Sequence, residues 1–206
     1  MDILKVHDHG FDDLVCITPP DCRLSSASSI QPSDRGKAPG IRKSNGKWTG
    51  YPWRSGKPSR SEIIKWRGWN ANFGLSSTFF PGIDIDVLDE DLAEDIEKLA
   101  VGILGDAPTR IGRYPKRLLI YRTDKPFPKR ILKFGNTDQE ESLVEVLGEG
   151  QQFVIEGIHS TTGKSYSCTP GLDSIHSEVL KSIDEKLLNK FFFKIYCNLL
   201  TIFISI

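Results

Sequence analysis

Two aspartates in one short apolar stretch are the residues of this sequence whose type and spacing best suit chemistry. Residues 82–87 read Gly-Ile-Asp-Ile-Asp-Val, which indicates a buried strand. Side chains alternate between the faces of a strand, so Asp84 and Asp86 share one face, with their Cα atoms roughly 6.5 Å apart. Two ionised carboxylates this close repel unless a cation or a basic group balances them. Mg²⁺ prefers such oxygen ligands. The stretch therefore predicts a metal site for phosphoryl or nucleotidyl transfer; the alternative is that the acids merely end a strand before a helix.

Charge is distributed unevenly along the chain, although the formal net charge is zero, with 27 basic and 27 acidic residues. Among the charged residues of 35–67, only Glu62 is acidic. All charged residues of 84–97 are acidic, and among those of 110–133 only Asp124 is acidic. An acidic centre between two basic blocks suits a metal site that a polyanion approaches. Solvated charged faces on loops are the alternative.

Local signals predict a mixture of strands and helices. Ser59 and Glu62 form a capping box that begins a helix ending at Gly68. Another helix begins at Asp89 and ends at Gly105, with an apolar stripe at helical spacing. Strands are predicted at 13–18, 71–75, 82–87, 109–114, 117–122, 143–147, 151–156 and 164–168. The strands at 143–147 and 151–156 are expected to pair as a hairpin across the glycine-containing turn at 148–150.

Glu145 is the third candidate acid, because it lies in a predicted strand between Val144 and Val146. A carboxylate in that position needs a partner. The partner is either an arginine or lysine from the basic strands or a metal ion shared with the aspartates.

Residues 21–58 are predicted to be a long loop, since they are rich in Ser, Gly, Pro and basic side chains. Trp48, Tyr51 and Trp53 argue against simple disorder. Interleaved with Lys and Arg, they could stack a base while the cations hold phosphate. The alternative, which we favour, is that the tryptophans anchor the loop to the core.

The expected layout is a catalytic domain at 1–172, a helix at 173–190 and an apolar tail at 191–206. The tail is shorter than the roughly 20 residues of a membrane span, so no membrane partner is expected. It could be a core strand, a partner-binding helix or the out-of-frame end of a truncated gene, and we favour the last. The four cysteines form no Cys-x-x-Cys pair and no secretory leader is evident, which predicts reduced thiols in a cytoplasmic protein.

Seven short motifs follow one another in a recognisable order. They are G-K-A-P-G at 36–40, N-F-G-L at 72–75, G-I-D-I-D at 82–86, P-T-R-I-G-R at 108–113, P-K-R-L-L-I-Y-R at 115–122, V-E-V-L-G at 144–148 and G-I-H-S-T-T-G-K-S-Y at 157–166. Over roughly residues 12–170 this series resembles the bifunctional DNA primase/polymerase (prim-pol) N-terminal domain. That family is a branch of the archaeo-eukaryotic primase superfamily found on phages, plasmids and prophages.

The resemblance implies an α+β fold in which a small α/β unit packs against an RRM-like antiparallel sheet, with the site in the cleft between them. It implies that Asp84, Asp86 and Glu145 are the catalytic carboxylates and bind Mg²⁺ or Mn²⁺. Nucleotide-binding residues carried over with it are Arg110, Arg113, Lys116, Arg117, His159 and Lys37. The implied partners are a single-stranded DNA template and nucleoside triphosphates, with a helicase or ATPase encoded separately.

The sequence departs from the family pattern after the arginine strand. Many members place a His there in a G-G-x-H segment, whereas residues 113–118 here contain no His. Lys116 or Arg117 could supply the charge but not the same hydrogen-bond geometry. His159 matches a later family His, for which a buried structural role is the favoured interpretation.

These observations leave three functions open. The first is template-directed joining of nucleoside triphosphates by a DNA primase/polymerase in phage- or plasmid-type DNA replication. The second is a metal-dependent nuclease built on the same three acids, against which the excess of basic residues and the lack of an obvious general base argue. The third is a non-catalytic, nucleic-acid-binding remnant, which the odd tail and the absence of a helicase or ATPase domain favour.

Overall fold

The computed structural model of the chain describes residues 1–136 and 141–204. They form α-helices and antiparallel sheets, so the α+β class is confirmed. The helices are α1 (Ile3–Asp8), α2 (Arg60–Gly68), α3 (Glu90–Leu104) and α4 (Glu185–Ile204). The strands are β1 (Leu14–Ile17), β2 (Ile41–Arg42), β3 (Trp48–Thr49), β4 (Asn72–Ser76), β5 (Gly82–Asp86), β6 (Thr109–Ile111), β7 (Arg117–Ile120), β8 (Arg130–Asn136), β9 (Glu141–Leu147), β10 (Gln152–Glu156) and β11 (Ser167–Thr169).

The chain divides into two compact units. The first comprises Met1–Ser76 and Gln152–Val179, and the second comprises the described residues of Ser77–Gln151 and Leu180–Ile206. The chain thus leaves the first unit after β4 and returns to it at β10.

The first unit contains a sheet in which β4 lies between β1 and β10 and is antiparallel to both. All four residues of β1 are buried, as expected for a strand without polar alternation. The predicted capping box of α2 is confirmed: the Ser59 hydroxyl accepts from the Glu62 amide, and the Glu62 carboxylate accepts from the Ser59 amide. These bonds satisfy amides that the first helical turn leaves without partners.

Residues 21–58, predicted as one long loop, contain the short hairpin β2–β3. Gly46 closes its turn with a positive φ of 79°, and the Lys43 amide donates to the Lys47 carbonyl. Trp48 is buried and packs edge-on against Trp69. The Tyr51 hydroxyl accepts from the Cys16 amide at 2.9 Å. Trp48 and Tyr51 therefore anchor this segment, in agreement with the interpretation favoured from the sequence.

In the second unit the strands run in the order β6-β7-β5-β9-β8, each antiparallel to its neighbours. One sheet face carries the core. It packs against α3 and α4 through buried side chains that include Ile83, Ile85, Leu119, Val144, Val146, Ile96, Ala100, Leu188 and Phe191. α3 begins where predicted, because the Asp89 carboxylate accepts from the Leu92 amide at 2.9 Å, and Gly105 follows its last residue.

The predicted hairpin between 143–147 and 151–156 is wrong. β9 pairs with β5 and β8 in the second unit, whereas β10 pairs with β4 in the first. The turn itself forms, since the Gln151 amide donates to the Gly148 carbonyl. That carbonyl also accepts from the Ser77 hydroxyl at 2.6 Å. A turn signal fixes a change of direction but not which strands pair afterwards. Strand β8, which takes the place of β10 beside β9, was not predicted.

The C-terminal residues differ from the expected helix at 173–190 followed by a tail. Residues 172–174 and 177–179 form short 3-10 turns, and the helix α4 begins only at Glu185 and continues to Ile204. Leu188, Phe191 and Ile195 recur at helical spacing and are at most 1% exposed. The first residues of the predicted tail are thus part of the core, and the side chains from 199 onwards lie outside the described ones. None of the described helices is both long and apolar enough to cross a membrane.

Candidate catalytic face of the second unit

Strand β5 places its two aspartates as the sequence predicted. Ile83, Ile85 and Val87 are fully buried, whereas Asp84 and Asp86 are partly exposed. This alternation follows from the pleat, which sends successive side chains to opposite faces. The aspartates therefore lie on the sheet face that is not packed against α3 and α4. We refer to it as the acidic face.

The register of β9 brings the third acid beside the first. Asp84 lies directly opposite Glu145 in the antiparallel pair β5–β9. Directly opposed side chains share a sheet face, with their Cβ atoms about 5 Å apart. Asp86, two residues further along β5, belongs to the same face. The three predicted carboxylates thus lie on two adjacent strands and on one face.

Desolvation and the neighbouring acids make ionisation of Asp84 less favourable than that of a free aspartate. Desolvation raises the pKa of Asp84 to about 6; the positive charges of Arg110 and Lys116 oppose this rise, and the negative charges of Asp86 and Glu145 add to it. A carboxyl with this pKa releases its proton to solvent near neutral pH, and a cation beside it would favour that release.

Lysines engage the other two acids. Lys116 Nζ lies 2.5 Å from Asp86 Oδ1, and Lys129 Nζ lies 3.0 Å from Glu145 Oε1. The Asp86 Oδ1 atom is nevertheless buried and accepts no hydrogen bond of acceptable geometry from the described residues. The contact with Lys116 is therefore described as an ion pair.

Metal binding would require these acids to rearrange. Across the described residues, no three or more His, Cys, Asp or Glu side chains are grouped so that they could hold a metal ion. The donor set itself is chemically suitable, because three carboxylates are what Mg²⁺ and Mn²⁺ prefer. Asp86 Oδ1 is a buried oxygen that a cation could use. Binding would need the ammonium groups of Lys116 and Lys129 to move from the carboxylates.

The basic candidates divide between the two sheet faces. Arg110 lies opposite Leu118, and Leu118 lies opposite Asp84, so Arg110 shares the acidic face. Lys116 reaches that face through Asp86. Arg113 follows the end of β6 and is partly buried.

Arg117 does not reach the acidic face. It lies opposite Ile85 and therefore on the core face. It is 6% exposed, pairs with Glu97 of α3, and donates from Nε to the Pro115 carbonyl at 3.0 Å. The expectation that Arg117 binds nucleotide beside the carboxylates is thus corrected, because the period of two along β7 sends it to the opposite side.

The remaining nucleotide-binding candidates, His159 and Lys37, belong to the first unit. His159 Nδ1 accepts from the amides of Thr161 and Thr162 at 3.3 and 3.2 Å, which places any proton of the neutral ring on Nε2. This bonding within its own turn gives His159 a structural role. The exposed ammonium of Lys37 lies 3.7 Å from the Asp34 carboxylate.

Asn72 connects three of the motifs that carried the resemblance. Its amide nitrogen donates to the carbonyls of Gly36 and Ile158, and its side-chain oxygen accepts from the Ile158 amide. Gly157 lies so close that a Cβ there would be 2.0 Å from the Asn72 oxygen. Three motifs distant in sequence therefore meet at one buried amide in the first unit.

Sequence reasoning missed Lys129 and Asn72. Ile131 of β8 lies opposite Glu145 and therefore on the acidic face. Lys129, two residues before Ile131, lies on the same face, but this could be recognised only once the pairing of β8 with β9 was known. Asn72 carried a weaker signal, a polar residue at the start of a buried strand.

No protein-family model matches the chain, and a search of curated proteins returned no significant match.

Proposed function

We propose that the chain is a metal-dependent nucleotidyltransferase of the prim-pol type. It would extend a primer along a single-stranded DNA template by joining nucleoside triphosphates with release of pyrophosphate. The observation that carries this proposal is the register of β5 and β9, which sets Asp84 opposite Glu145 with Asp86 on the same face. A strand that placed Glu145 on the other face would have removed the third carboxylate.

In this proposal Asp84, Asp86 and Glu145 hold Mg²⁺ or Mn²⁺. When bound, such an ion lowers the pKa of a primer 3′-hydroxyl and neutralises charge on the transferred phosphorus. The raised pKa of Asp84 makes this carboxyl the one whose ionisation gains most from a nearby cation.

The chain's own cations have two roles in succession. Lys116 and Lys129 balance the acids in the structure described here. On binding of the metal and substrate, their ammonium groups become available to the triphosphate, together with the guanidinium groups of Arg110 and Arg113. Charge-assisted hydrogen bonds to phosphate oxygens would orient the substrate.

We also propose that the two units correspond to the two parts of a prim-pol domain. The second unit, an antiparallel sheet with α3 and α4 on one face and the acids on the other, would be the RRM-like part of a prim-pol domain. The first unit would be the small α/β part. What supports this assignment is the placement of all three acids on the sheet face that is not packed against α3 and α4.

Primer extension tests the proposal. Purified full-length protein is given a primed single-stranded template, labelled deoxy- or ribonucleoside triphosphates, and Mg²⁺ or Mn²⁺. We expect extension by the wild-type chain and a loss of at least 100-fold in Asp84→Asn plus Asp86→Asn, in line with the weight of electrostatic stabilisation in such reactions. The double variant Glu94→Gln plus Asp95→Asn removes two exposed acids of α3 and is the matched control. Extension that survives in the Asp84/Asp86 variant, or shortening of the primer instead of extension, contradicts the proposal.

A second candidate function is favoured by one observation. The acids of the face are engaged by Lys116 and Lys129 and form no three-acid group among the described residues. This arrangement fits a non-catalytic protein that binds nucleic acid and has kept the carboxylates as ion-pair partners. Binding of template without extension, unchanged in the Asp84/Asp86 variant, would select it.

A further inference from the structure

We infer that the first unit carries a single-strand nucleic-acid binding surface made of the basic β2–β3 hairpin and the aromatic segment that follows it. This inference deepens the proposed function, because it names the surface that would hold the template strand. It concerns residues distant in sequence from the carboxylates and has its own test.

The structure separates the basic residues of 35–67 into paired and unpaired sets. Lys37 faces Asp34, Lys57 is bound to Asp12 at 2.8 Å, and Arg60 is bound to Asp8. These cations are largely neutralised and contribute little to attraction of a polyanion. The sequence alone could not make this division, since Asp8 and Asp12 lie far upstream.

The hairpin retains its charge. Arg42, Lys43 and Lys47 are exposed and form no ion pair with any residue that the structure describes. They lie within six residues of chain that contain no acid. The hairpin is held to the unit by Trp48, whose amide donates to the Arg23 carbonyl and whose carbonyl accepts from the Ser25 amide. An anchored strand pair therefore presents three positive charges to solvent.

The aromatic segment, residues 51–53, follows the hairpin closely in the chain. Tyr51, Pro52 and Trp53 separate two clefts of about 550 and 200 Å³, and all three residues line both clefts. Tyr51 is fixed by its bond from the Cys16 amide. Trp53 is partly exposed, and the Arg54 guanidinium lies 5.1 Å from the centroid of its ring. The larger cleft lies within the 300–1,000 Å³ range of ligand sites.

Charge and aromatic surface together identify the occupant. Positive side chains attract any polyanion, but a partly exposed tryptophan beside a cleft also offers a face on which a base can stack. Proteins that bind single strands combine these two features, whereas an acidic peptide would use only the charges. We therefore assign the surface to single-stranded DNA or RNA, held by its phosphates on the hairpin and by base stacking at Trp53.

The test uses the full chain and a fluorescein-labelled oligothymidylate of about a dozen nucleotides, in EDTA so that no metal-dependent step contributes. Trp53→Ala should weaken binding roughly tenfold or more, whereas Trp53→Phe should keep most of the affinity because it retains an aromatic face. Lys43→Gln plus Lys47→Gln should reduce the dependence of log affinity on log salt by about 1.4, or roughly 0.7 for each lost phosphate contact. Since Trp53 also packs on the small core of the unit, the charge variant keeps the test decisive if Trp53→Ala does not fold.

Matched controls come from α4. Lys186→Gln plus Lys190→Gln removes two exposed charges, and Phe193→Ala removes an aromatic ring that is 69% exposed. Neither should change binding by more than about twofold. The inference is overturned if the hairpin variant and Trp53→Ala both bind like wild type, if the α4 controls weaken binding equally, or if polyglutamate competes as well as the oligonucleotide.

Failure of the proposed function and failure of this inference are distinguishable. In the Asp84→Asn plus Asp86→Asn background the oligonucleotide should bind as in wild type. A chain that binds in this way but never extends a primer supports the surface and contradicts the proposed polymerase. Primer extension that the hairpin and Trp53 variants leave unchanged contradicts the surface alone.

Discussion

Asp84 and Glu145 are directly opposed on two hydrogen-bonded antiparallel strands, with Asp86 on the same face. A pair of ionised acids in this position is unfavourable by itself. In the structure, Lys116 pairs with Asp86, Lys129 pairs with Glu145, and the pKa of Asp84 is raised. Perturbed carboxyl pKa values of this kind cluster at functional sites, and they also occur in structural ion-pair networks.

The raised pKa of Asp84 predicts a decrease of stability with rising pH. The folded-state pKa of about 6 lies above the 3.8 of an unperturbed aspartate. Between these two values the folded chain binds a proton that the unfolded chain has already released, so the free energy of unfolding falls as pH increases through this window. The upper bound is about 3 kcal/mol, at 1.36 kcal/mol for each pKa unit. In Asp84→Asn this component should disappear.

Urea unfolding of wild type and Asp84→Asn at pH 4.5 and 7.5, in EDTA, measures the effect. Asp95→Asn, which removes an exposed acid of α3, serves as the control and should keep the wild-type pH dependence. If Asp84→Asn and wild type lose equal stability over this range, Asp84 does not have the environment described.

The ion pair between buried Arg117 and partly buried Glu97 predicts a structural role for Arg117, which the sequence suggested for substrate binding. Arg117→Ala leaves Glu97 without its cation on the core face and should cost roughly 3 kcal/mol of unfolding free energy. Lys98→Ala, on the same helix with an exposed pair, should cost less than about 1 kcal/mol.

Replacing both partners, as Arg117→Met plus Glu97→Leu, should recover at least half of that loss, because no charge is left unpaired. Thermal or urea unfolding gives the double-mutant cycle. A stable Arg117→Ala variant with impaired nucleotide affinity would instead support the interpretation made from sequence.

Phe191 and Phe193 lie two residues apart on α4, and their replacement by alanine should have very different consequences for stability. Phe191 is fully buried, so Phe191→Ala should destabilise the chain by about 3–5 kcal/mol through the cavity it leaves. Phe193 is 69% exposed, and Phe193→Ala should stay within about 0.5 kcal/mol. Equal effects in urea unfolding would show that α4 does not present the described face to the core.

Asn72 should be intolerant of substitution. Asn72→Ala leaves the buried Gly36 carbonyl and the partly buried carbonyl and amide of Ile158 without the partners they have now, which should cost about 2–4 kcal/mol. Asn72→Asp keeps the acceptor but cannot donate to either carbonyl, and we expect it to be destabilising as well. Asn198→Ala, an exposed position on α4, is the control. Hydrogen exchange at the Ile158 amide provides a local readout, and unchanged protection in Asn72→Ala would contradict the proposed connection.

The sequence by itself determined which residues of a strand share a face and where two helices begin. The alternation in β5, the capping box of Ser59 and Glu62, and the Asp89 cap are local features, set by the period of the strand and by bonds within one turn. They could be predicted because their causes lie within a few residues. The candidate acids could be named for the same reason.

Only the tertiary structure decided which strands pair, and therefore which charges meet. β9 joins β5 and β8 rather than β10, and this choice sets Glu145 beside Asp84 and brings Lys129 to Glu145. The register of β7 on β5 sends Arg117 to the core face, where it pairs with Glu97. Register is fixed by long-range packing of the buried face, and a shift of one residue would invert every side chain on the strand. The continuation of α4 through Phe191 and Ile195 was decided in the same way, because their burial depends on the sheet they cover.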